Sequence, residues 1–174
     1  MALPLPVHEP DEHHALRLVA EQAASAVGCA AAGVTVVRPH GPPLLTGTAL
    51  LGAQLEEEQW DAGDGPGLDA MGQLQVFNVA RLVDAQSWPG FVAHAVSRGV
   101  RSCLAVPIVL RGRALGALDL YSVDPDAFDG FEQMGLHFAG EAALTLARVE
   151  AGSPAPVGPQ GLASTARDRS RALS

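Results

Sequence analysis

The sequence predicts an α+β domain in which helices alternate with strands and the strands form an antiparallel sheet. Hydrophobic residues make up 48% of the 174 residues and charged residues 17%, which is typical of a single packed domain. Segments with helical periodicity alternate along the chain with β-branched or alternating segments. Two of the strand segments, 100–110 and 114–121, flank Arg111-Gly112-Arg113, a glycine-centred turn that is typical of an antiparallel hairpin.

The first half of the chain contains two predicted helices and three predicted strands. In order they are a helix over 11–27, strands over 33–38 and 44–50, a short helix over 53–60 and a strand over 75–79. The first helix carries apolar residues at helical spacing and stops at Gly28. The short helix is predicted to be polar, with Glu56, Glu57 and Glu58 on a solvated face.

The second half begins with a helix over 88–98, for which Ser87 is the predicted cap and Pro89 fits the first turn. The hairpin of strands 100–110 and 114–121 follows it. Pro107 cannot donate to a strand ladder, which indicates an edge position or a bulge. The longest helix is predicted over 131–149.

The chain is divided into a flexible N-terminus over 1–10, one domain over 11–150, and a disordered tail over 151–174 rich in Pro, Gly, Ser and Arg. The net charge of −8 argues against nucleic acid or anionic lipid as a partner. No secretory signal and no membrane-spanning segment is visible, so we expect a cytoplasmic protein. Cys29 and Cys103 are then expected to be reduced thiols.

The stretch 63–121 carries four sequence blocks: GDGPGLDA at 63–70, SWPGF at 87–91, GVRSCLAVPI at 99–108 and GALDLY at 116–121. In this order and spacing they resemble a GAF domain, with the closest match to bacterial, actinobacterial-type modules that accompany antiterminator domains or signalling phosphatases. The resemblance implies a three-layer, PAS-like fold, with the N- and C-terminal helices on one face of the sheet and a ligand pocket on the other. Relatives usually carry cysteine at the position of Gly67, so any chemistry of that thiol is absent here.

Strand alternation assigns residues to the two faces of this sheet. Even-numbered residues from Val100 to Ile108, with Leu118 and Leu120, form a bulky apolar face that should meet the terminal helices. The opposite face combines small and polar residues, which is what a ligand cavity needs. The predicted pocket residues are Trp88, Phe91, Arg101, Cys103, Ala105, Ala117, Asp119 and Tyr121. The alternative is that Trp88 and Phe91 fill this space as core.

The last helix carries a stripe of small residues at every fourth position: Gly135, Ala139, Ala143 and Ala147. Because many GAF domains dimerise through their first and last helices, we expect this stripe to form a homodimer interface. The alternative is that small side chains let the first helix of the same chain approach closely.

Other motifs argue against a metal, a cofactor or catalysis. Gly63, Gly65 and Gly67 do not form a phosphate loop, because Pro66 removes a backbone donor and the chain has no Lys. His137 and Glu141 share a helix face but lack a visible third metal ligand, and no motif around a histidine indicates haem. No nucleophile lies beside a recognisable base, so the chain is not expected to be an enzyme.

The sequence thus predicts a stand-alone GAF sensory or regulatory module that binds an unknown small molecule. With only a short tail after the last helix, its output is expected to act in trans, through a dimer or a signalling partner. One alternative is a ligand-free dimerisation or interaction domain. A more remote alternative is an enzyme like the GAF-type methionine sulfoxide reductases, which use several pocket cysteines where this chain offers Cys103.

Overall fold

The computed structural model describes residues 8–152, with side chains from Glu12 onward. Its elements, in chain order, are α1 (His8–Val27), β1 (Ala31–Val36), β2 (Leu44–Gly47), α2 (Ala49–Ala62), α3 (Pro66–Gln73), β3 (Phe77–Val79), a 3₁₀ turn (Leu82–Asp84), α4 (Pro89–Ser97), β4 (Ser102–Leu110), β5 (Arg113–Ser122) and α5 (Glu132–Gly152). Residues 1–7 and 153–174 lie outside the described residues. They include most of the predicted flexible N-terminus and of the predicted tail. No helix within 8–152 has the length and apolar character needed to cross a membrane.

The five strands form one antiparallel sheet in the order β2-β1-β5-β4-β3, which confirms the predicted α+β class. The central hairpin of β4 and β5 turns at Arg111 and Gly112, which both have positive φ, 51° and 76°. This is the geometry of a two-residue hairpin turn. Because β3 pairs only with residues 103–105 of β4, Pro107 has no strand neighbour on that side, and the pairing of β4 with β5 shifts register just after it, between Ile108 and Val109.

One face of the sheet, here the terminal-helix face, is covered by α1 and α5. The larger apolar core lies there, and it includes Leu104, Val106, Ile108, Leu118 and Leu120, as the strand alternation predicts. Val100 differs from the prediction. It precedes β4 and packs into the core of the opposite face, because the strand alternation does not extend to a residue outside the strand.

The opposite face, here the α2–α4 face, is covered by α2, α3 and α4. Its smaller core consists of Ala31, Leu55, Leu82, Phe91, Ala95, Val100, Cys103 and Tyr121. The sequence pattern did not predict α3: the glycine-rich segment 63–70 was expected to be a turn. The turn is confined to residues 63–65, and Gly63 adopts a left-handed conformation. Pro66 already occupies the first helical turn of α3.

The small-residue stripe of α5 lies mostly inside the chain. Gly135 faces the side chains of Val106 and Leu104 at distances that leave no room for a Cβ, and Ala139 and Ala143 are buried in the core of the terminal-helix face. These three residues are therefore not a surface that a second chain can contact. Their small size lets α5 pack closely on β4 and α1 instead.

Candidate functional site

A cluster of buried polar side chains lies on the α2–α4 face, and its centre is Asp119 of β5. In the sheet register Asp119 lies between Gly33 of β1 and Ala105 of β4. Both neighbours are small, so there is space above them for side chains from α2. A Cβ at position 33 would occupy the same space as the side chain of Glu56, which shows that the glycine is what lets Glu56 reach the sheet.

Helix α2 supplies the two remaining large polar groups of the cluster. Gly52, Leu55, Glu56 and Gln59 are all buried and are spaced three and four residues apart, so they form the one face of α2 that meets the sheet. The expectation of a solvated Glu56 is wrong: its exposed fraction is 1%, whereas its neighbour Glu57 is exposed. The physical reason is helical phase, which places two adjacent glutamates on different sides of the helix.

A directed set of hydrogen bonds connects the cluster. The backbone N–H of Gly67 donates to Gln59 Oε1 (2.8 Å), and Gln59 Nε2 donates to the hydroxyl of Tyr121 (2.9 Å). Tyr121 donates to Glu56 Oε1 (2.7 Å), and Thr35 donates to Glu56 Oε2 (2.6 Å). The donors therefore converge on Glu56. We call Thr35, Glu56, Gln59, Asp119 and Tyr121 the carboxyl cluster.

The carboxyl group of Asp119 accepts fewer and longer hydrogen bonds than that of Glu56. Its Oδ2 atom accepts only a long bond from Gln59 Nε2 (3.4 Å), and its buried Oδ1 atom accepts no hydrogen bond from an N–H or hydroxyl group of the described residues. The remaining hydrogen bond of Asp119 joins it to Glu56, through a proton that the two carboxyl groups share. Asp119 is 1% exposed, so bulk water does not reach it. An unpartnered buried polar atom in a native protein requires an explanation, and a ligand that is absent from the structure is one.

The electrostatics follow from this burial. Burial raises the pKa of Glu56 from 4.5 to about 7, opposed by the hydrogen bonds it accepts from Thr35 and Tyr121. Burial, then the neighbouring charge of Glu56 and a hydrogen bond with its carboxyl group, raise the pKa of Asp119 well above its ordinary value. The pKa values of Tyr121 and Cys103 are also raised, chiefly by burial and further by the two carboxyl groups. The cluster therefore holds a proton at neutral pH and contains no balancing cation.

Helix α3 closes the cluster from above. A Cβ at Gly67 would overlap the carboxyl group of Asp119, and a Cβ at Gly65 would overlap the side chain of Gln59. The backbone of α3 therefore lies directly on the cluster, in the space where the sequence predicted a pocket. The cysteine that relatives usually carry at position 67 would not fit here unless α3 or Asp119 moved.

Trp88 connects α3 to α4. Its indole N–H donates to Asp69 Oδ2 of α3 (2.8 Å), and its ring packs edge-on against Phe77 with the ring centroids 5.7 Å apart. Trp88 adopts a left-handed backbone conformation (φ 55°) at the N-cap of α4, so Ser87 is not the cap as predicted. Such a conformation in a bulky residue is strained, and strain of this kind concentrates at functional sites.

The predicted pocket residues separate into three groups. Cys103, Ala105, Ala117, Asp119 and Tyr121 are all buried on the α2–α4 face, as predicted. Phe91 is also fully buried, 6.4 Å from Tyr121 between ring centroids, so it acts as core, whereas Trp88 is only partly buried. Arg101 is exposed and instead lines a separate cavity of about 270 Å³ near Val83 and Pro125.

Three residues of the carboxyl cluster were not predicted from the sequence: Thr35, Glu56 and Gln59. The spacing of Gly52, Leu55, Glu56 and Gln59 was the available signal, because positions separated by three and four residues share one helix face. Glu56 also sits in a run of three glutamates, which favoured the solvated interpretation.

A second, larger cavity lies away from the cluster. It measures about 650 Å³ and lies between the first turns of α1, the loop after β1 and the end of α5. Its walls include His13, Arg113 and the ion pair of Glu12 with Arg38. Within residues 8–152 no group of three or more His, Cys, Asp or Glu side chains is arranged to hold a metal ion.

Comparisons with known proteins agree with this architecture. The family model described as GAF domain matches residues 11–149. Among solved structures, the GAF domain of the cyanobacteriochrome TePixJ matches with a TM-score of 0.60 and 15% identity, covering 86% of this chain and 98% of that one. A domain of a putative two-component sensor histidine kinase from Sinorhizobium meliloti 1021 matches with a TM-score of 0.61 and 20% identity, covering 85% and 96%.

A free methionine-R-sulfoxide reductase from Neisseria meningitidis, solved in complex with its substrate, is also similar. Its TM-score is 0.59 at 20% identity, and the match covers 83% of each chain. At these identities the structural likeness establishes the fold alone. No curated protein sequence matches the chain at a significant level.

Proposed function

Because the chain belongs to the GAF domain family, whose members are commonly sensory or regulatory, we propose that it is a small-molecule sensor without catalytic activity. The ligand binds at the carboxyl cluster on the α2–α4 face. The observation that carries this proposal is Asp119, a fully buried carboxyl group whose Oδ1 atom has no N–H or hydroxyl donor within residues 12–152.

A purely structural role explains this arrangement poorly. Leaving a buried polar atom unsatisfied costs about 1–3 kcal/mol, and an apolar side chain of similar size would avoid that cost. The strained backbone of Trp88 adds a further cost of about 1–3 kcal/mol beside the same site. Asp119 lies beneath α3, and Trp88 is hydrogen-bonded to Asp69 of α3, so both unfavourable features adjoin this helix and support a binding role.

The thiols support a sensor rather than a reductase. Cys103 lies on the α2–α4 face and its pKa is raised by burial, so it is protonated and a poor nucleophile at neutral pH. Cys29 packs on the terminal-helix face, so the two thiols of the chain lie on opposite sides of the sheet. They cannot act as a pair. We further propose a cytoplasmic location, where unpaired thiols stay reduced.

The test uses native mass spectrometry of the full chain purified from its own host, compared with the Asp119→Ala variant. We expect a bound small molecule with the wild type and none with the variant. The variant should remain folded, with equal or higher stability, because the substitution removes the unpartnered carboxyl group. A variant that keeps the bound molecule would place the ligand elsewhere and contradict the proposal.

One observation favours a second function, a ligand-free interaction domain. Helix α3 fills the space above the carboxyl cluster, as expected if the cavity has closed permanently. The two functions differ in one measurable property, the mobility of α3. A closed interaction domain should protect the α3 amides from hydrogen exchange as strongly as those of α2, whereas a sensor must open α3 to bind its ligand.

Output is proposed to pass through the outer surface of the terminal helices, to a second copy of the chain or to a signalling partner in trans. Leu18 of α1 and Leu136 and Leu144 of α5 are 40%, 39% and 48% exposed. They replace the buried small-residue stripe as the candidate homodimer surface. Sedimentation of a monomer at high concentration would exclude the homodimer. The sequence blocks at 63–121 further support a bacterial, actinobacterial-type module.

A further inference from the structure

We infer that the ligand of the carboxyl cluster carries a primary ammonium group, which lies against Asp119 Oδ1. This inference rests on the proposed function, that a small molecule binds at this cluster. It is drawn from what the cluster lacks: a hydrogen-bond donor for one buried oxygen atom and a positive charge for two neighbouring carboxyl groups.

Apart from the proton that Glu56 and Asp119 hold between them, which an ammonium group would displace, the donors of the cluster are already committed. The hydroxyls of Thr35 and Tyr121, the side-chain amide of Gln59 and the backbone N–H of Gly67 all donate within the cluster. No Lys, Arg or His side chain belongs to the cluster. An ammonium group brings three donors, no acceptor and one positive charge, so it matches both deficits at once.

Other ligand classes fit less well. An anionic group would lie beside two carboxyl groups that already disfavour each other's charge. A neutral hydroxyl would supply a donor to Asp119 but leave the charge unbalanced. A metal ion needs several preformed ligands, and no group of three His, Cys, Asp or Glu side chains is found for it in the described part of the chain.

The surroundings of the cluster are also acidic. The segment from α2 to α3 carries six carboxyl groups: Glu56, Glu57, Glu58, Asp61, Asp64 and Asp69. Of these, only Glu58 forms an ion pair within residues 12–152, with Arg98 and more distantly with His94. A concentration of one charge sign around a site raises the local concentration of ligands of the opposite sign. The acidic segment from α2 to α3 therefore favours a cationic ligand over an anionic one.

Helix α3 is the element that must move to admit the ligand. Its residues lie outside the two apolar clusters, but Pro66, Gly67 and Ala70 are buried where α3 packs on β4 and β5. The hydrogen bond from Gly67 to Gln59 and the bond from Trp88 to Asp69 also hold α3 at the site. An ammonium group that replaces the contact of Gly67 with Asp119 therefore requires α3 to shift away from the sheet, while both apolar clusters stay in place.

The experiment is isothermal titration calorimetry of the full chain with primary alkylamines from ethylamine to hexylamine. Alcohols and carboxylates of the same chain length serve as neutral and anionic probes. We expect the amines to bind at least about tenfold more tightly than either, the difference made by one charged hydrogen-bonded contact. Repeating the titration in buffers of different ionisation enthalpy should show proton release, because the ammonium group displaces the proton held by Glu56 and Asp119.

Two variants complete the design. Asp119→Asn keeps the shape of the side chain and should weaken amine binding at least about tenfold. Glu57→Gln, which changes an exposed carboxyl group of α2, should leave amine binding unchanged. Amines that bind no better than alcohols, or that bind Asp119→Asn unchanged, would overturn the ammonium inference. A neutral or anionic host molecule found at the cluster would overturn it too, yet leave the proposed function intact. No ligand of any class at the cluster would overturn both.

Discussion

Replacing Glu56 with Gln should flatten the pH dependence of the domain's stability. In the wild type Glu56 is fully buried, and its two carboxylate oxygens accept hydrogen bonds from Tyr121 and Thr35. Glutamine has nearly the same shape but no titrating proton. The substitution therefore removes the proton linkage of this residue and keeps most of the packing of α2 on the sheet.

The magnitude follows from the pKa of Glu56, which burial raises from 4.5 to about 7. The folded protein thus binds this proton more tightly than the unfolded chain does. The resulting stability is fully present below pH 4.5 and is lost as the pH rises through about 7. At about 1.4 kcal/mol per pKa unit, the loss is about 3 kcal/mol, or roughly 6–12 °C in Tm for a domain of this size.

Urea denaturation of the wild type and of Glu56→Gln at about pH 5 and about pH 8 measures this loss. Asp119 acts in the same direction because its pKa is also raised, so the variant should keep a smaller decrease in stability. Glu57→Gln, the exposed neighbour, should behave like the wild type. A wild type that is more stable at pH 8 than at pH 5, or a variant with an unchanged pH dependence, would refute the buried, protonated cluster.

Three further substitutions and one control, Gly72→Ala, test the packing of α3 and α5. Gly67→Ala should destabilise the domain by about 1–3 kcal/mol, because the added methyl overlaps the carboxyl cluster. The control Gly72→Ala is on the same helix, where a Cβ meets nothing within 4 Å, and should stabilise the domain by about 0.5–1 kcal/mol. If both shift urea denaturation equally, the close contact of α3 is wrong. Trp88→Phe removes the hydrogen bond to Asp69 and should speed hydrogen exchange of the α3 amides; unchanged exchange would show that this bond does not hold α3. Gly135→Val should cost about 1–3 kcal/mol by overpacking the core without changing the sedimentation coefficient, whereas loss of a dimer at unchanged stability would restore the stripe as an interface.

The sheet and its two faces were predictable because strand alternation is a local property of the sequence. Leu118 and Leu120 alternate with Asp119 and Tyr121, and the structure places the two pairs on opposite faces. The turn at Gly112 needs only its immediate neighbours to be recognised. Features of this kind depend on residues within one or two positions of each other, which a single sequence displays directly.

Asp119 and Tyr121 of the candidate site were predicted, but the partners that α2 and β1 supply were not, because their contacts join distant segments. Glu56 is buried because Gly33, in another element, leaves room for it and because Thr35, 21 residues away, donates to it. Nothing near Glu56 in the sequence indicates either partner. Helix α3 was missed for a related reason, since the glycines at 65 and 67 are poor helix formers in general but are required by contact with Gln59 and Asp119.

Strand β5 contributes side chains to both faces of the sheet. Asp119 and Tyr121 belong to the carboxyl cluster, whereas Leu118 and Leu120, one residue away on the same backbone, belong to the core beneath α1 and α5. A ligand that pulls Asp119 by a fraction of an ångström displaces its neighbours by a similar amount, because the peptide units between them are rigid. If the proposed ligand binds at Asp119, the pleat of a single strand would connect it directly to the core beneath α1 and α5, the helices proposed to carry the output.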